Sequence, residues 1–137
     1  MQVPSESGEQ HPEHTIMIVE DELLLRLDLA NQLHSAGFEI IEVQSGNEAV
    51  KILATNIDVD LILTDIRMPG QVDGLGLVSF VKRQERRIKV ILLSAYVEAD
   101  SDSPADASFA KPVRIEVLLA KIRQLLTRKN EVDVPDS

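Results

Sequence analysis

Three carboxylates, a hydroxyl and an ammonium stand out in this sequence because each comes at or just after an apolar run of strand length. Glu20 and Asp21 follow Thr15 to Val19 (TIMIV), and Asp65 follows Asp60 to Thr64 (DLILT). Ser94 follows Ile88 to Leu93 (IKVILL), and Lys111, with Pro112 behind it, follows the short run Ser108 to Ala110. Carboxylates gathered in one place repel one another and persist as anions only when a cation joins them. A hard, oxygen-ligated ion suits such a set, and Mg²⁺ is commonly held by one or two carboxylates together with waters and phosphate oxygens. An aspartate among them can be a nucleophile and carry an aspartyl phosphate. The phosphoryl group spreads charge over three oxygens, so it calls for a metal, a point-charge cation and a hydrogen-bond donor around it. Lys111 supplies the compact ammonium and Ser94 the hydroxyl. Acyl phosphate formation follows from this inventory, although the identity of the phosphoryl donor does not.

Whether these residues can meet depends on the elements that carry them. The continuous apolar runs at Thr15–Val19, Asp60–Thr64 and Ile88–Leu93 read as strands buried on both faces. Phe38 to Val43 alternates apolar and polar residues, as a half-buried edge strand does. Between the strands, Glu22 to Ala36 reads as a helix with Leu23, Leu24, Leu27, Ala30 and Leu33 on one stripe, stopped at Gly37. Ser45-Gly46-Asn47-Glu48 has capping-box spacing and opens a helix with Ala49, Val50, Ile52 and Leu53. Gly74 to about Arg86 is helical with Leu75, Leu77, Val78 and Val81 inward, and Arg114 to Thr127 forms the last amphipathic helix. Buried strands alternating with such helices predict an α/β fold, a parallel sheet with helices on both faces. Right-handed crossovers then bring the carboxyl ends of all strands to one edge, where ligands bind. Taken singly, the acidic pair is a solvated turn, Asp65 a turn residue, Ser94 a cap and Lys111 a surface lysine. Their joint occurrence at the same ends of successive strands favours the functional reading.

Composition narrows the field. At 137 residues the chain has room for one domain. A net charge of −9 opposes binding to a phosphate backbone, and 3% aromatic content leaves few platforms for bases. The absence of cysteine excludes disulfides and thiolate chemistry. No run approaches the length of a membrane span, and the polar start has no signal-peptide pattern, so a cytoplasmic protein is expected, with no nucleic-acid or membrane partner. Residues 1–13 and 129–137 read as disordered tails flanking a domain at 14–128.

The segments IMIVEDE, LTDIRMPG with Asp73-Gly74 beyond it, LLSA and AKP together resemble the receiver domain of two-component response regulators, over about Thr15 to Thr127. The resemblance implies a flavodoxin-like doubly wound sheet of five parallel strands in the order 2-1-3-4-5. It implies Mg²⁺ held by Asp21, Asp65 and the backbone carbonyl of Arg67, with Glu20 in the outer acidic position. It implies phosphorylation of Asp65 by a histidine kinase or a histidine phosphotransfer protein, contacts from Ser94 and Lys111 to the phosphoryl group, and a cis bond before Pro112.

Four departures from the family pattern set further expectations. Ten residues follow Thr127, too few for an output domain, so a stand-alone receiver is expected, a monomer or weak dimer whose output is protein binding. Sixteen residues separate Ser94 from Lys111, and the stretch from Tyr96 to Pro104 has no apolar stripe, so the fourth helix is expected to be shortened or disordered. The family's switch aromatic is replaced by Ser108. Phe109, one position on and facing the core by strand alternation, and Tyr96, which with Arg67 would overhang the site and impede water, are the candidate modulators. Gly70-Gln71-Val72 lengthens a loop, with a local bulge and no new chemistry expected. Two rivals remain, a phosphate sink and an interaction module that is never phosphorylated. A small phosphohydrolase is disfavoured because Arg67 stands where such enzymes carry a second aspartate. The cluster Lys82, Arg83, Arg86, Arg87 and Lys89 reads as charge at a helix C-terminus. His11 and His14 read as solvated, and His34 as a helix-surface residue.

Overall fold

In the computed structural model, which describes residues 14–68, 70–84, 87–95 and 104–131, nine elements follow one another along the described residues, strand and helix alternating up to the fourth strand. They are β1 (Thr15–Val19), α1 (Leu23–Ser35), β2 (Glu39–Val43), α2 (Gly46–Leu53), β3 (Leu61–Asp65), α3 (Gly74–Gln84), β4 (Lys89–Ser94), β5 (Ala107–Ala110) and α4 (Ile115–Glu131). The five strands are all parallel, in the order β2-β1-β3-β4-β5. This is the doubly wound order expected, with the alternating strand Glu39–Val43 at one edge.

The two-residue period of the buried strands sorts their side chains into two cores. Met17, Val19, Ile62, Val90 and Leu92 pack with Ala49 of α2 and Leu77, Val78 and Val81 of α3. Ile16, Ile18, Leu61, Leu63, Ile91 and Leu93 pack on the opposite face with Ala30 and Leu33 of α1 and Leu118, Ile122 and Leu126 of α4. Both helical layers are needed, since the central strands bury mainly apolar side chains on both faces, with Thr64 a buried polar exception.

Local signals set several boundaries. The Ser45 hydroxyl accepts from Glu48 N at 3.1 Å and caps α2, while Glu48 accepts from Gln44 N. Gly37 carries a φ of 104° just after α1, a conformation that glycine tolerates at no steric cost. In the loop before α3, Gly70 has a φ of 101°, and the loop docks on α2: Val72 N donates to Asn47 Oδ1, and the Val72 carbonyl closes on Gly46. At the opposite edge of the sheet, Lys82 of the basic cluster pairs with Asp106 at 2.9 Å.

Two expectations require correction. The proposed inward stripe of α1 fails in its first turns: Leu23 and Leu27 are exposed and Leu24 is 79% exposed, while Ala30 and Leu33 are buried. The inward place one turn before Ala30 belongs instead to Arg26, whose side chain is only 14% exposed. At the other end of the chain, α4 continues to Glu131, past the boundary at 129 expected for the second tail, because the sequence has no helix breaker before Pro135. The expectation of a shortened fourth helix falls on 96–103, outside the described residues.

Candidate functional site

The acidic residues converge because their strands end together. Ile18 and Leu63 are register partners on β1 and β3, so Glu20 and Asp65 leave the same edge two residues further on. Strand alternation then gives Glu20, Asp65 and Lys111 the same facing as Ile18, Leu63 and Phe109, toward the layer of α1 and α4. Lys111 is brought up by the pairing of β4 with β5, continued by its backbone N–H donating to the Ser94 carbonyl. The Lys111–Pro112 peptide is cis.

Lys111 Nζ bridges two carboxylates, at 2.9 Å from Asp65 Oδ2 and 3.2 Å from Glu20 Oε1. Glu20 is 3% exposed and also accepts from Glu22 N through Oε2. Burial raises the Glu20 pKa, and the neighbouring Asp65 charge adds to that, against the opposing pull of the Glu22 N–H and Lys111. For Lys111, burial disfavours the ammonium, but its bonds and attraction to Asp65 and Glu20 outweigh it and raise its pKa. Asp21 is exposed, yet one oxygen from each of Glu20, Asp21 and Asp65 lies within 4.8 Å of the others.

The charge balance of this cluster is incomplete. At an effective dielectric near 20, two like charges at this separation repel by about 3 kcal/mol or more. Three carboxylates against one ammonium leave a net charge of −2, which a divalent ion would neutralise. All the donors are hard oxygens, the set that Mg²⁺ prefers. An open groove of about 530 Å³ between α1 and the start of α4 reaches Glu20 and Lys111, with Leu25, Leu29, Val113 and Ile115 among its walls.

Comparison with known proteins agrees with this geometry. Residues 16–123 match the family model described as the response regulator receiver domain. The chain belongs to the response regulator receiver family. Among curated relatives of this receiver, the transcriptional regulatory protein PdtaR of Mycobacterium tuberculosis is 35% identical over 123 residues, 85% of this chain and 58% of that protein. A cyclic di-GMP phosphodiesterase of Thermotoga maritima is 32% identical over 84% of the chain, which spans 32% of that protein. The receiver therefore spans 58% or less of these relatives. Among solved structures, the response regulator protein TrrA of Thermotoga maritima, in complex with Mg²⁺-BeF, superposes with a TM-score of 0.74 at 32% identity, covering 82% of this chain and 98% of that one.

The receiver fold thus gathers Glu20, Asp21, Asp65 and Lys111 into one cluster. Ser94 is buried as the last residue of β4, one register position beyond Leu93, the partner of Asp65. Arg67 is exposed two residues past Asp65. Phe109 packs into the core shared with α1 and α4, the orientation that strand alternation implied. Tyr96 lies outside the described residues. Sequence reasoning passed over two positions that frame the site. A Cβ on Gly74 would collide with the Asp65 carbonyl, so the start of α3 abuts the backbone of the central aspartate. Arg26 donates from Nη1 to the Glu20 carbonyl at 2.9 Å and pairs through Nε with Glu42 at 3.2 Å. The available signal was an arginine four before Ala30 and seven before Leu33, which is the inward helical spacing.

Proposed function

We propose that this receiver accepts a phosphoryl group on Asp65 from a phosphohistidine of a histidine kinase or histidine phosphotransfer protein, in a cytoplasmic, bacterial-type two-component system. Its phosphorylation state then governs binding to a target protein. The observation that carries this reading is the convergence of Lys111 on Asp65 and Glu20 beside an Asp21 oxygen. The Asp65 side chain is 12% exposed, screened by Glu20 and Lys111, which themselves line an open groove. An Asp65 carboxylate oxygen would attack phosphorus, forming an O–P bond as the N–P bond breaks, with the electron pair and a proton ending on the donor imidazole. Lys111 is placed to balance charge on the acceptor oxygens, and Ser94 would supply a hydroxyl to the phosphoryl group. Glu20, Asp21 and Asp65, with the Arg67 carbonyl, would hold Mg²⁺, which supplies charge neutralisation to the phosphoryl oxygens when bound. Gain and loss of phosphate on its own Asp65 is the covalent chemistry assigned to the chain, with no turnover of other substrates.

The test uses Mg²⁺ and a small acyl phosphate as donor, followed by intact mass. One added phosphoryl group that disappears in Asp65→Ala supports the reading, and an unmodified wild-type protein refutes it. State-dependent capture of a target separates the adaptor role from a phosphate sink, which would lose phosphate rapidly and show no such partner.

A further inference from the structure

Asp21 has a positioning problem that its neighbours do not share. Glu20 is held by Lys111 and by Glu22 N, and Asp65 is held by Lys111. Among the described residues, the Asp21 carboxylate makes no hydrogen bond or ion pair, yet it converges with the other two. The planar peptide that joins it to Glu20 fixes where its Cα stands, and so the point from which its carboxylate reaches the other two. The oxygen of that peptide accepts from Arg26 Nη1 at 2.9 Å. Arg26 is in turn anchored through Nε to Glu42 on β2, the register partner of Ile18. A guanidinium is a rigid planar fork, so two bonds from one fork fix the peptide against the neighbouring strand as a flexible ammonium could not.

We propose that Arg26, seated by Glu42, is a positioning residue that presets Asp21 for a divalent cation. Metal affinity is then governed partly by a pair outside the acidic cluster. The inference rests on reading Glu20, Asp21 and Asp65 as the cation site. Positioning and simple electrostatics predict opposite signs. A nearby guanidinium repels Mg²⁺, so its removal by charge alone would tighten binding, whereas loss of the peptide's anchor weakens it.

The experiment titrates MgCl₂ into the whole chain by calorimetry and records melting temperature in EDTA and in Mg²⁺. Arg26→Met should weaken Mg²⁺ binding on the order of tenfold, the usual effect of removing a group that orients a metal ligand. Arg26→Lys, which keeps the charge but loses the fork, should recover only part, and Glu42→Gln should weaken binding less than Arg26→Met. The rise in melting temperature on adding Mg²⁺ should shrink in the same order, a change that loss of metal-free stability alone would not produce. Affinity in Arg26→Met within about twofold of wild type, or tighter, overturns the inference. Should Arg26→Met fail to fold, Arg26→Lys and Glu42→Gln carry the test, and wild-type affinity in both overturns it. A wild-type chain that binds no Mg²⁺ sinks the functional reading as well, whereas wild-type binding unaffected by these substitutions sinks this inference alone.

Discussion

Lys111 carries opposed duties at the scale of single residues. Its ammonium offsets two carboxylates, and the same charge competes with any cation that they attract. Lys111→Met should therefore separate stability from metal affinity. In EDTA at neutral pH it should destabilise the protein by on the order of 1–3 kcal/mol, less than for a fully buried pair because Lys111 is 22% exposed. Chemical denaturation measures that loss. Calorimetry should show Mg²⁺ binding undiminished or tighter, since the cluster loses its resident positive charge. Phosphorylation of Asp65 should nonetheless fall by roughly 100-fold or more, the scale of losing one preorganised charge partner. A variant that accepts phosphate at the wild-type rate would remove Lys111 from the site chemistry. The raised Lys111 pKa adds a pH signature: its stabilisation is complete below the ordinary lysine value of 10.5 and is lost as pH rises through the folded value.

At the scale of elements, the junction of β3 with α3 shows how secondary structure positions Asp65. Gly74 N donates to the Ile66 carbonyl, and the absent Gly74 side chain leaves room for the Asp65 carbonyl. Gly74→Ala should cost roughly 1–3 kcal/mol by overpacking and should lower the rate of Asp65 phosphorylation, because relief requires the Asp65 backbone to move. A melting temperature and phosphorylation rate equal to wild type would show that the junction yields freely. In α1, Leu33→Ala should cost roughly 2–5 kcal/mol, whereas Leu24→Ser should stay within about 0.5 kcal/mol, as denaturation midpoints would reveal. That contrast also marks the limit of what the sequence discloses. TIMIV, DLILT and IKVILL announced buried strands because the apolar runs leave no polar face, and the strand-end acids followed from that placement. The α1 stripe was misread because Leu23, Leu24, Leu25 and Leu27 fit several helical phases equally well. Only the pairing of Arg26 with Glu20 and Glu42 chooses among them, and those contacts belong to the tertiary fold. Gly74 was visible in the sequence, but its closeness to Asp65 depends on where the loop returns.

For the whole molecule, folding and proton uptake draw on the same few oxygens that the proposed reading gives to the cation. A net charge of −9 surrounds the pocket with a field that attracts cations, and the pocket holds Glu20 almost dry. Burial raises the Glu20 pKa above its ordinary 4.5. The sign follows from linkage: a carboxyl with a raised folded pKa contributes stability below 4.5, and that contribution disappears as pH rises through the folded value. In EDTA, wild-type stability should therefore carry a component that falls from acid toward neutral pH, and Glu20→Gln should remove it. On the proposed reading Mg²⁺ should act in the opposite sense, because it would bind the ionised cluster. At neutral pH and about 100 times its dissociation constant it should add about 2.7 kcal/mol, raising the melting temperature by on the order of 10 °C. Near pH 4 the proton held by Glu20, whose pKa is raised, competes with the ion, and most of that increment should vanish. Melting curves of wild type, Glu20→Gln and Asp21→Ala across this pH range, with and without Mg²⁺, measure the coupling directly. An increment of equal size at pH 4 and pH 7, or one that survives Asp21→Ala, would place the cation elsewhere on the acidic surface and detach the stability of the fold from the Asp65 pocket.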